Sequence, residues 1–281
     1  MSYNTLVISG GGIKGIKFLG ALHYLYTNNY LNNVNYYAGT SIGSLLSLLL
    51  CIGYTPLELI TYICKYNILH KKLFFDIFSM MNGHGALEYY YFNEIIEKII
   101  LNKIGILPTL GKIKELYGSD IMLTTYNYTN SKVEYISSST HPDINCMTAI
   151  RMSCNIPLVF GKYSYNNCDY IDGAIYDIFP INYFLNSENA SKFQIIGITI
   201  TFEQNFSNET NIIHYIHDLF FIPIKEVLKS AIERAKRDEN NKIIMIKDEK
   251  LQSWNLQSTK FDMLNMFSDG YDESKNNLES C

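Results

Sequence analysis

Residues 36–53 read YYAGTSIGSLLSLLLCIG, and within them Gly39, Ser41 and Gly43 form the pattern G-x-S-x-G. This pattern is typical of a nucleophilic serine held at a sharp turn between a buried strand and a helix. Glycine at both flanking positions removes the Cβ atoms that would collide where the strand and the helix cross. The apolar runs before and after the pattern predict that strand and that helix. On its own, the pattern favours such a serine but is also compatible with a glycine-rich turn before a core helix.

Length and charge narrow the class of protein. The chain has 281 residues, enough for a large core, so we expect one domain over residues 1–281. The net charge is −4 and the sequence pI is about 5.9. Without a basic stripe, such a chain is not expected to bind nucleic acid.

Cysteine spacing and the apolar runs bear on location. No C-x-x-C pair occurs, and we interpret the cysteines as reduced residues of a cytoplasmic protein. No signal peptide is indicated, and the longest apolar run is far shorter than the roughly 20 residues that span a bilayer. We therefore expect no transmembrane segment, while contact with a membrane surface remains open. The cysteines are Cys51, Cys64, Cys146, Cys154, Cys168 and Cys281.

A second glycine-rich stretch, GGGIKG at residues 10–15, follows a β-rich run at residues 5–9 and precedes a helical pattern. It satisfies the dinucleotide fingerprint G-x-G-x-x-G, but that reading needs an acidic residue about 20 positions further on. No acidic residue occurs before Glu58, so a nucleotide is not expected. Consecutive glycine N–H groups can instead stabilise a negative oxygen in a transition state. Lys14 either adds positive charge there or is solvated.

The rest of the chain alternates between helical and strand patterns. Residues 73–85 are interpreted as a core helix and its loop, with a mobile lipid-contacting flap as the alternative. Residues 268–281 are polar and are expected to fray. Further helices are predicted at 16–30, 42–52, 55–66, 93–102, 109–117, 143–154, 212–237 and 261–267, and further strands at 121–126, 132–136, 194–201 and 242–246, with two short strands within 162–175.

A nucleophilic serine needs a base, and none of the six histidines has a telling context. The best-placed base is Asp172, at a predicted strand end beside Gly173. A carboxylate can accept the serine proton if burial raises its pKa toward neutrality. The alternative for Asp172 is an ordinary Asp-Gly turn.

Together these motifs resemble the patatin-like phospholipases. Residues 10–15 are similar to that family's oxyanion loop, residues 39–43 to its nucleophile elbow, and residues 172–174 (DGA) to its Asp-Gly-Ala/Gly motif. Residues 149–160 (AIRMSCNIPLVF) resemble the segment that precedes the last motif. The resemblance covers residues 5 to about 182, the motif-bearing core of the predicted domain, and it is more specific than any one motif.

The resemblance implies a three-layer α/β/α fold with a mostly parallel central sheet. It also implies that Ser41 is the nucleophile and Asp172 the base, with no metal and no cofactor. The backbone of Gly10, Gly11 and Gly12, helped by Lys14, is implied to bind the oxyanion. The remaining motif glycines are Gly15, Gly39, Gly43 and Gly173.

The function implied is a lipid acyl hydrolase of the phospholipase A type, acting at a membrane surface through an acyl-enzyme. Two alternatives stay open. One is a lysophospholipase, neutral lipase or acyltransferase that uses another acyl ester. The other is an effector or binding module in which catalysis is incidental. The sequence leaves the oligomeric state undetermined.

Overall fold

Strands alternate with helices through most of the chain. The computed structural model describes residues 2–66, 89–157, 159–201, 212–247 and 259–279, with backbone alone for 212–221. The helices are α1 (Gly15–Thr27), α2 (Ile42–Cys51), α3 (Pro56–Tyr66), α4 (Tyr89–Ile104), α5 (Leu110–Tyr117), α6 (Cys146–Ser153), α7 (Ile181–Leu185), α8 (Ile212–Ala235) and α9 (Lys260–Glu279). The strands are β1 (Thr5–Ile8), β2 (Tyr36–Thr40), β3 (Asp120–Asn127), β4 (Lys132–Ser137), β5 (Tyr163–Tyr165), β6 (Cys168–Asp172), β7 (Ile195–Thr201) and β8 (Lys242–Lys247).

The strands form one mixed sheet flanked by helices, which confirms the predicted α/β architecture. Its parallel part has the order β3-β2-β1-β7-β8. β4 and β6 add to β3 in the antiparallel direction, and β5 pairs with β6 in the same way. All of β1 is buried, as expected of a central parallel strand covered on both faces.

One edge of β3 is shared by two strands. β2 pairs with the first part of β3 and ends with Thr40 opposite Thr124. β6 pairs with the last part and places Asp172 opposite Thr125. β4 pairs with residues 122–127 of β3. This range overlaps the parts that pair with β2 and with β6, so β4 must occupy the other edge of β3. The end of β2 and the end of β6 therefore meet at one point of the sheet.

Local signals fix several helix starts as predicted. Thr55 and Glu58 form a capping box, in which the Thr55 N–H donates to the Glu58 carboxylate at 2.7 Å and the Glu58 N–H to the Thr55 hydroxyl at 3.2 Å. Thr109 caps α5 with its side chain. α6 is shorter than the predicted helix over 143–154, because the side chain of Asn145 caps it.

The prediction that residues 268–281 fray is wrong for residues 268–279, which continue α9 to Glu279. α9 crosses α1 where both helices carry glycine. A Cβ atom on Gly20 would lie 1.9 Å from the Phe267 carbonyl oxygen, and one on Gly270 would lie 1.9 Å from the Lys17 carbonyl oxygen. The helices therefore approach with their backbones in contact.

A buried ion pair reinforces this crossing. The Lys17 ammonium lies 3.0 Å from the Glu273 carboxylate, with side chains 6% and 18% exposed. The Lys17 ammonium also donates to the Lys247 carbonyl oxygen at 3.1 Å, and the Lys247 N–H donates to Glu273 at 2.6 Å. These contacts join α1, α9 and the end of β8.

Three further predictions concern the start of α4, the cysteines and membrane-spanning helices. α4 begins at Tyr89, before the predicted start at Asn93, and residues 73–85 lie outside the described residues. Cys51, Cys146 and Cys154 are buried free thiols, and Cys64 and Cys168 are half-buried free thiols. Within the described ranges no single helix has the length and hydrophobicity needed to cross a membrane, although the bent pair of residues 42–51 and 56–65 passes the same test together.

Candidate active site

Ser41 stands at the turn between β2 and α2, as the G-x-S-x-G pattern predicts. Its φ of 56° and ψ of −125° are unusual for a residue with a side chain. The turn is tight because a Cβ on Gly39 would lie 2.3 Å from the Gly43 carbonyl carbon, and one on Gly43 would lie 2.2 Å from the Ile8 oxygen. Both glycines are therefore required by close backbone contact.

The structure brings Ser41 and Asp172 together. The Ser41 hydroxyl donates to Asp172 Oδ2 at 2.5 Å, because the shared edge of β3 places the ends of β2 and β6 side by side. The other carboxylate oxygen of Asp172 accepts the Ala174 N–H at 2.8 Å. The Asp172 N–H donates to the Asn155 carbonyl oxygen at 2.9 Å, which fixes the strand end.

Burial raises the pKa of Asp172 to about 7, against the opposing effect of hydrogen bonds from the Ser41 hydroxyl and the Ala174 N–H. A carboxylate with such a pKa can hold or release a proton near neutral pH. The Ser41 hydroxyl donates its hydrogen bond to this carboxylate and not to a histidine.

The pair is nearly closed off from solvent. Ser41 is 5% exposed and Asp172 is 3% exposed. A nucleophile elbow normally exposes its serine hydroxyl, whereas Ser41 is buried in this structure. The elbow lies between the end of β6 and the glycine loop, and a Cβ on Gly10 would lie only 3.5 Å from the Ser41 Cβ.

The glycine loop does not supply all three predicted donors. The Gly10 N–H donates to the Ile178 carbonyl oxygen at 2.8 Å, so it is already occupied, and its predicted role as an oxyanion donor does not fit this structure. No acceptor is recorded among the described residues for the N–H groups of Gly11 and Gly12. Gly12 has a φ of 54°, a left-handed conformation that glycine adopts readily. Two of the three predicted amides remain available.

The other predicted residues lie around this loop. Lys14 is 3% exposed, so it is not the solvated residue that we considered as an alternative. A Cβ on Gly15 would lie 2.4 Å from the Ile42 side chain, and one on Gly173 would lie 2.6 Å from the Thr124 oxygen. Gly15 thus lets α1 approach the residue after the nucleophile, and Gly173 lets the Asp172 turn approach β3.

Sequence reasoning missed Ser153, the last residue of α6. The oxygen of its hydroxyl accepts the Ser41 N–H at 3.1 Å. The same hydroxyl donates its proton to the Thr124 carbonyl oxygen at 2.6 Å. It also lies 2.7 Å from the Ser44 hydroxyl, which donates to the Gly39 carbonyl oxygen at 2.7 Å. Ser153 is fully buried, and its contacts with residues distant in the chain leave no signal in the local sequence pattern.

A second missed residue is Asp177. Its backbone carbonyl accepts the Thr40 hydroxyl at 2.8 Å, and its carboxylate accepts the Tyr135 hydroxyl at 2.8 Å. The next residue, Ile178, accepts the Gly10 N–H. The turn after Asp172 therefore holds both the residue before the nucleophile and the start of the glycine loop.

The two histidines whose side chains the structure describes, His23 and His141, lie away from the dyad. His23 packs against the rings of Phe267 and Tyr271, and His141 is exposed beside the Thr140 hydroxyl. In the part of the chain that the structure describes, no group of three His, Cys, Asp or Glu side chains is arranged to hold a metal ion.

Comparison with known proteins places this geometry in a family context. A family model described as Patatin-like phospholipase matches residues 6–185. A probable lipid hydrolase of Invertebrate iridescent virus 6, named 463L, is 28% identical over 279 residues, which cover 97% of this chain and 88% of that protein. The uncharacterized protein YqhO of Bacillus subtilis is 26% identical over 263 residues, covering 86% of this chain and 87% of YqhO.

Solved structures agree at the level of the fold. VipD from Legionella pneumophila matches with a TM-score of 0.60 and 14% identity, covering 100% of this chain and 67% of VipD. A chain from the complex of full-length SpcU with full-length ExoU of Pseudomonas aeruginosa matches with a TM-score of 0.51 and 14% identity. That match covers 99% of this chain and 52% of the other, so this chain spans about half of its length.

Proposed function

Because the chain belongs to the patatin-like phospholipase family, we propose that it is a lipid hydrolase that cleaves carboxylic ester bonds of membrane phospholipids with Ser41 as nucleophile and Asp172 as base. The observation that carries the proposal is the 2.5 Å hydrogen bond from the Ser41 hydroxyl to the Asp172 carboxylate at a tight strand–helix turn. The similarity to a probable lipid hydrolase over almost the whole chain supports the substrate class.

In the first half of the reaction, the Ser41 oxygen attacks the ester carbonyl while Asp172 accepts the hydroxyl proton. The tetrahedral oxyanion is stabilised by the amides of Gly11 and Gly12, and each such donor is typically worth about 3 kcal/mol. The positive end of α2, which begins at Ile42, favours the same negative charge. Collapse expels the lysolipid alcohol, which takes the proton from Asp172, and leaves an acyl-enzyme on Ser41.

In the second half, Asp172 accepts a proton from water as the water oxygen attacks the acyl carbonyl. The bond between the acyl group and Ser41 then breaks, Asp172 returns the proton to the Ser41 oxygen, and a fatty acid is released. Because Ser41 and Asp172 are 5% and 3% exposed, an ester reaches them only after the surrounding residues move. Serine, carboxylate and backbone amides supply the whole cycle, so we propose that no metal is required.

The test compares Ser41→Ala and Asp172→Asn with the wild type and with Ser47→Ala, using fatty acid release from phospholipid vesicles with and without excess EDTA. Ser47 is a matched control, since it is a buried serine of α2, the helix that follows Ser41, and donates to the Ala38 carbonyl oxygen at 2.9 Å. We expect the two dyad variants to be folded and nearly inactive, Ser47→Ala to remain active, and EDTA to have no effect. Full activity in either folded dyad variant would refute the assignment, and loss reversed by calcium would contradict metal independence.

A parallel assay identifies the substrate class. Phospholipid vesicles, monoacylglycerol and soluble short-chain esters are offered to the same enzyme preparation. We expect turnover of the phospholipid. Turnover confined to the short-chain esters would indicate a non-lipid hydrolase built on the same dyad.

A further inference from the structure

A cavity of about 290 Å³ lies between α4 and α6 and reaches β5. Its polar lining is formed by Tyr89 and Asn93 of α4, Thr148 and Arg151 of α6, and Tyr163 of β5. Hydroxyl, amide and guanidinium groups can all donate hydrogen bonds. The cavity is thus bordered by donors and by one fixed positive charge, and the mechanism above uses none of them.

Arg151 is held in this cavity by aromatic rings rather than by an acid. The guanidinium carbon lies 3.7 Å from the centre of the Tyr89 ring, 5.2 Å from that of Tyr163 and 5.6 Å from that of Phe160. Its Nη2 donates to the Gly161 carbonyl oxygen at 3.1 Å. None of the salt bridges between described residues involves Arg151. The charge of Arg151 is therefore not neutralised by a carboxylate of the described chain.

Two buried donors belong to residues that line this cavity. Nη1 of Arg151 and the hydroxyl of Tyr89 have no hydrogen-bond partner among the described residues. Folded proteins satisfy roughly 90% or more of their buried polar groups, so each exception calls for an explanation. The two donors, one of them charged, lie on side chains that stack on each other, so one anionic acceptor from outside the described residues would satisfy both.

The cavity lies beside the dyad. Arg151 and Ser153 both belong to the last turn of α6, and the Ser153 hydroxyl is 3.1 Å from the Ser41 nitrogen. Burial raises the pKa of the Tyr89 phenol, and the Asp172 carboxylate contributes in the same direction. The cavity and the dyad therefore lie at the same end of α6.

We propose that this cavity is a phosphate subsite, in which the Arg151 guanidinium and the Tyr89 hydroxyl bind the phosphate oxygens of the phospholipid substrate. The planar guanidinium suits phosphate geometry and remains charged in proteins. In a glycerophospholipid the phosphodiester is only a few bonds from the scissile esters, which matches the position of the cavity beside the dyad. This inference rests on the proposed function and extends it from lipid esters in general to phosphate-bearing lipids.

The kinetic test compares two substrates in the same detergent micelles, a phospholipid and a diacylglycerol with the same acyl chains. For Arg151→Gln we expect KM for the phospholipid to rise about tenfold with kcat changed less than about twofold, and KM for diacylglycerol to change less than about twofold. Tyr89→Phe removes the orphaned hydroxyl and keeps the ring, so a rise of about threefold in KM for the phospholipid is expected without loss of folding.

Lys162→Gln is the matched control. Lys162 is close to Tyr163 in the chain, pairs with Asp169 at 2.6 Å and is 69% exposed, so its loss removes a positive charge outside the cavity. We expect no selective change for either substrate. Equal losses on both substrates in Arg151→Gln, or unchanged phospholipid KM in both Arg151→Gln and Tyr89→Phe, would overturn the subsite. If Arg151→Gln does not fold, Tyr89→Phe decides the result.

A binding measurement separates this inference from the proposed function. Calorimetry on the Ser41→Ala protein tests glycerophosphocholine and, separately, inorganic phosphate. Binding that is weakened about tenfold by adding Arg151→Gln supports the subsite, even if the wild type hydrolyses no lipid. Binding of inorganic phosphate as well would show that the phosphate itself is recognised, whereas binding of glycerophosphocholine alone would show that the headgroup is read as a whole. No binding of either ligand, or binding unchanged by Arg151→Gln, would overturn the proposal.

Discussion

The hydroxyl oxygen of Ser153 accepts the backbone N–H of Ser41 at 3.1 Å, across 112 residues of sequence. The N–H groups at the start of a helix have no partner within it and must be satisfied from outside. Ser153 accepts this N–H at Ser41, whose backbone conformation is unusual. Because the Ser153 hydroxyl also donates to the Thr124 carbonyl oxygen, it connects the turn at Ser41 to β3. It therefore acts on Ser41 through the backbone and is a positioning residue.

Ser153→Ala is expected to lower kcat about tenfold while KM for the lipid changes less than about twofold. The alanine leaves the Ser41 N–H buried without an acceptor, and so the elbow must shift to find one. The expected cost in unfolding free energy is about 1–3 kcal/mol. Steady-state kinetics and thermal unfolding measure the two effects, and Ser153→Thr, which keeps the hydroxyl, should restore part of kcat.

Ser47→Ala tests whether any lost buried hydroxyl has the same result. This variant removes the hydrogen bond from Ser47, within α2, to the Ala38 carbonyl oxygen. We expect a loss of stability comparable to that of Ser153→Ala, with kcat retained. Equal losses of kcat in Ser153→Ala and Ser47→Ala would show that Ser153 matters for the fold and not for the nucleophile.

The reaction rate is expected to rise with pH around the pKa of Asp172, which burial raises to about 7. The base accepts a proton only in its ionised form, and so kcat/KM should fall about tenfold per pH unit below that pKa and level off above it. Fatty acid release from about pH 5 to about pH 9 measures the profile, with folding checked at each pH. A flat profile across this interval would exclude Asp172 as the titrating base.

The same carboxylate is expected to cost stability when ionised. Its pKa is about 7 in the folded protein and about 3.9 in an unfolded chain. The folded state therefore binds more protons between these values, and the free energy of unfolding should fall as pH rises from about 4 to about 7. Asp172→Asn removes this charge, so it should unfold at a higher temperature than the wild type at about pH 8 and by a clearly smaller margin at about pH 5.

The unfolding temperature of the wild type is compared with that of Asp172→Asn because a second buried carboxylate, Asp177, also titrates. Burial raises the pKa of this second carboxylate as well, and so it contributes to the pH dependence of the wild type in the same direction. Asp177 is present in both proteins, and its contribution cancels in the comparison. A wild type as stable as or more stable than Asp172→Asn at about pH 8 would contradict the prediction.

The sequence predicts those parts of the site that depend on residues close together in the chain. The turn formed by Gly39, Ser41 and Gly43 is one of them, because its close contacts are mostly between neighbouring residues. Asp172 is recognisable because a carboxylate beside glycine ends a short strand pattern. What places Ser41 and Asp172 together, however, is the shared edge of β3, and a register between distant strands leaves no local trace.

The missed parts depend on long-range contacts. Ser153 and Asp177 act through hydrogen bonds to groups distant in the sequence, which composition and periodicity do not report. The end of α9 was missed because its buried positions change from Met263 and Met266 to Gly270 and Ser274. Small residues allow close packing without raising hydrophobicity, so the helical pattern disappears from the sequence where the packing is closest.

Gly270→Ala tests that close packing, and two effects oppose each other. Alanine in a helix interior is normally favoured over glycine by about 1 kcal/mol. Here the new Cβ would lie 1.9 Å from the Lys17 carbonyl oxygen, which is backbone and cannot rotate away, and overpacking typically costs about 1–3 kcal/mol. With the cost at the upper end of that range, we expect a net loss of about 2 kcal/mol and a fall of about 5 °C in Tm.

Ser268→Ala, on the exposed side of the same helix, should leave Tm unchanged or slightly raised. A raised Tm in Gly270→Ala would show that propensity outweighs contact and that α1 and α9 are not held at this distance.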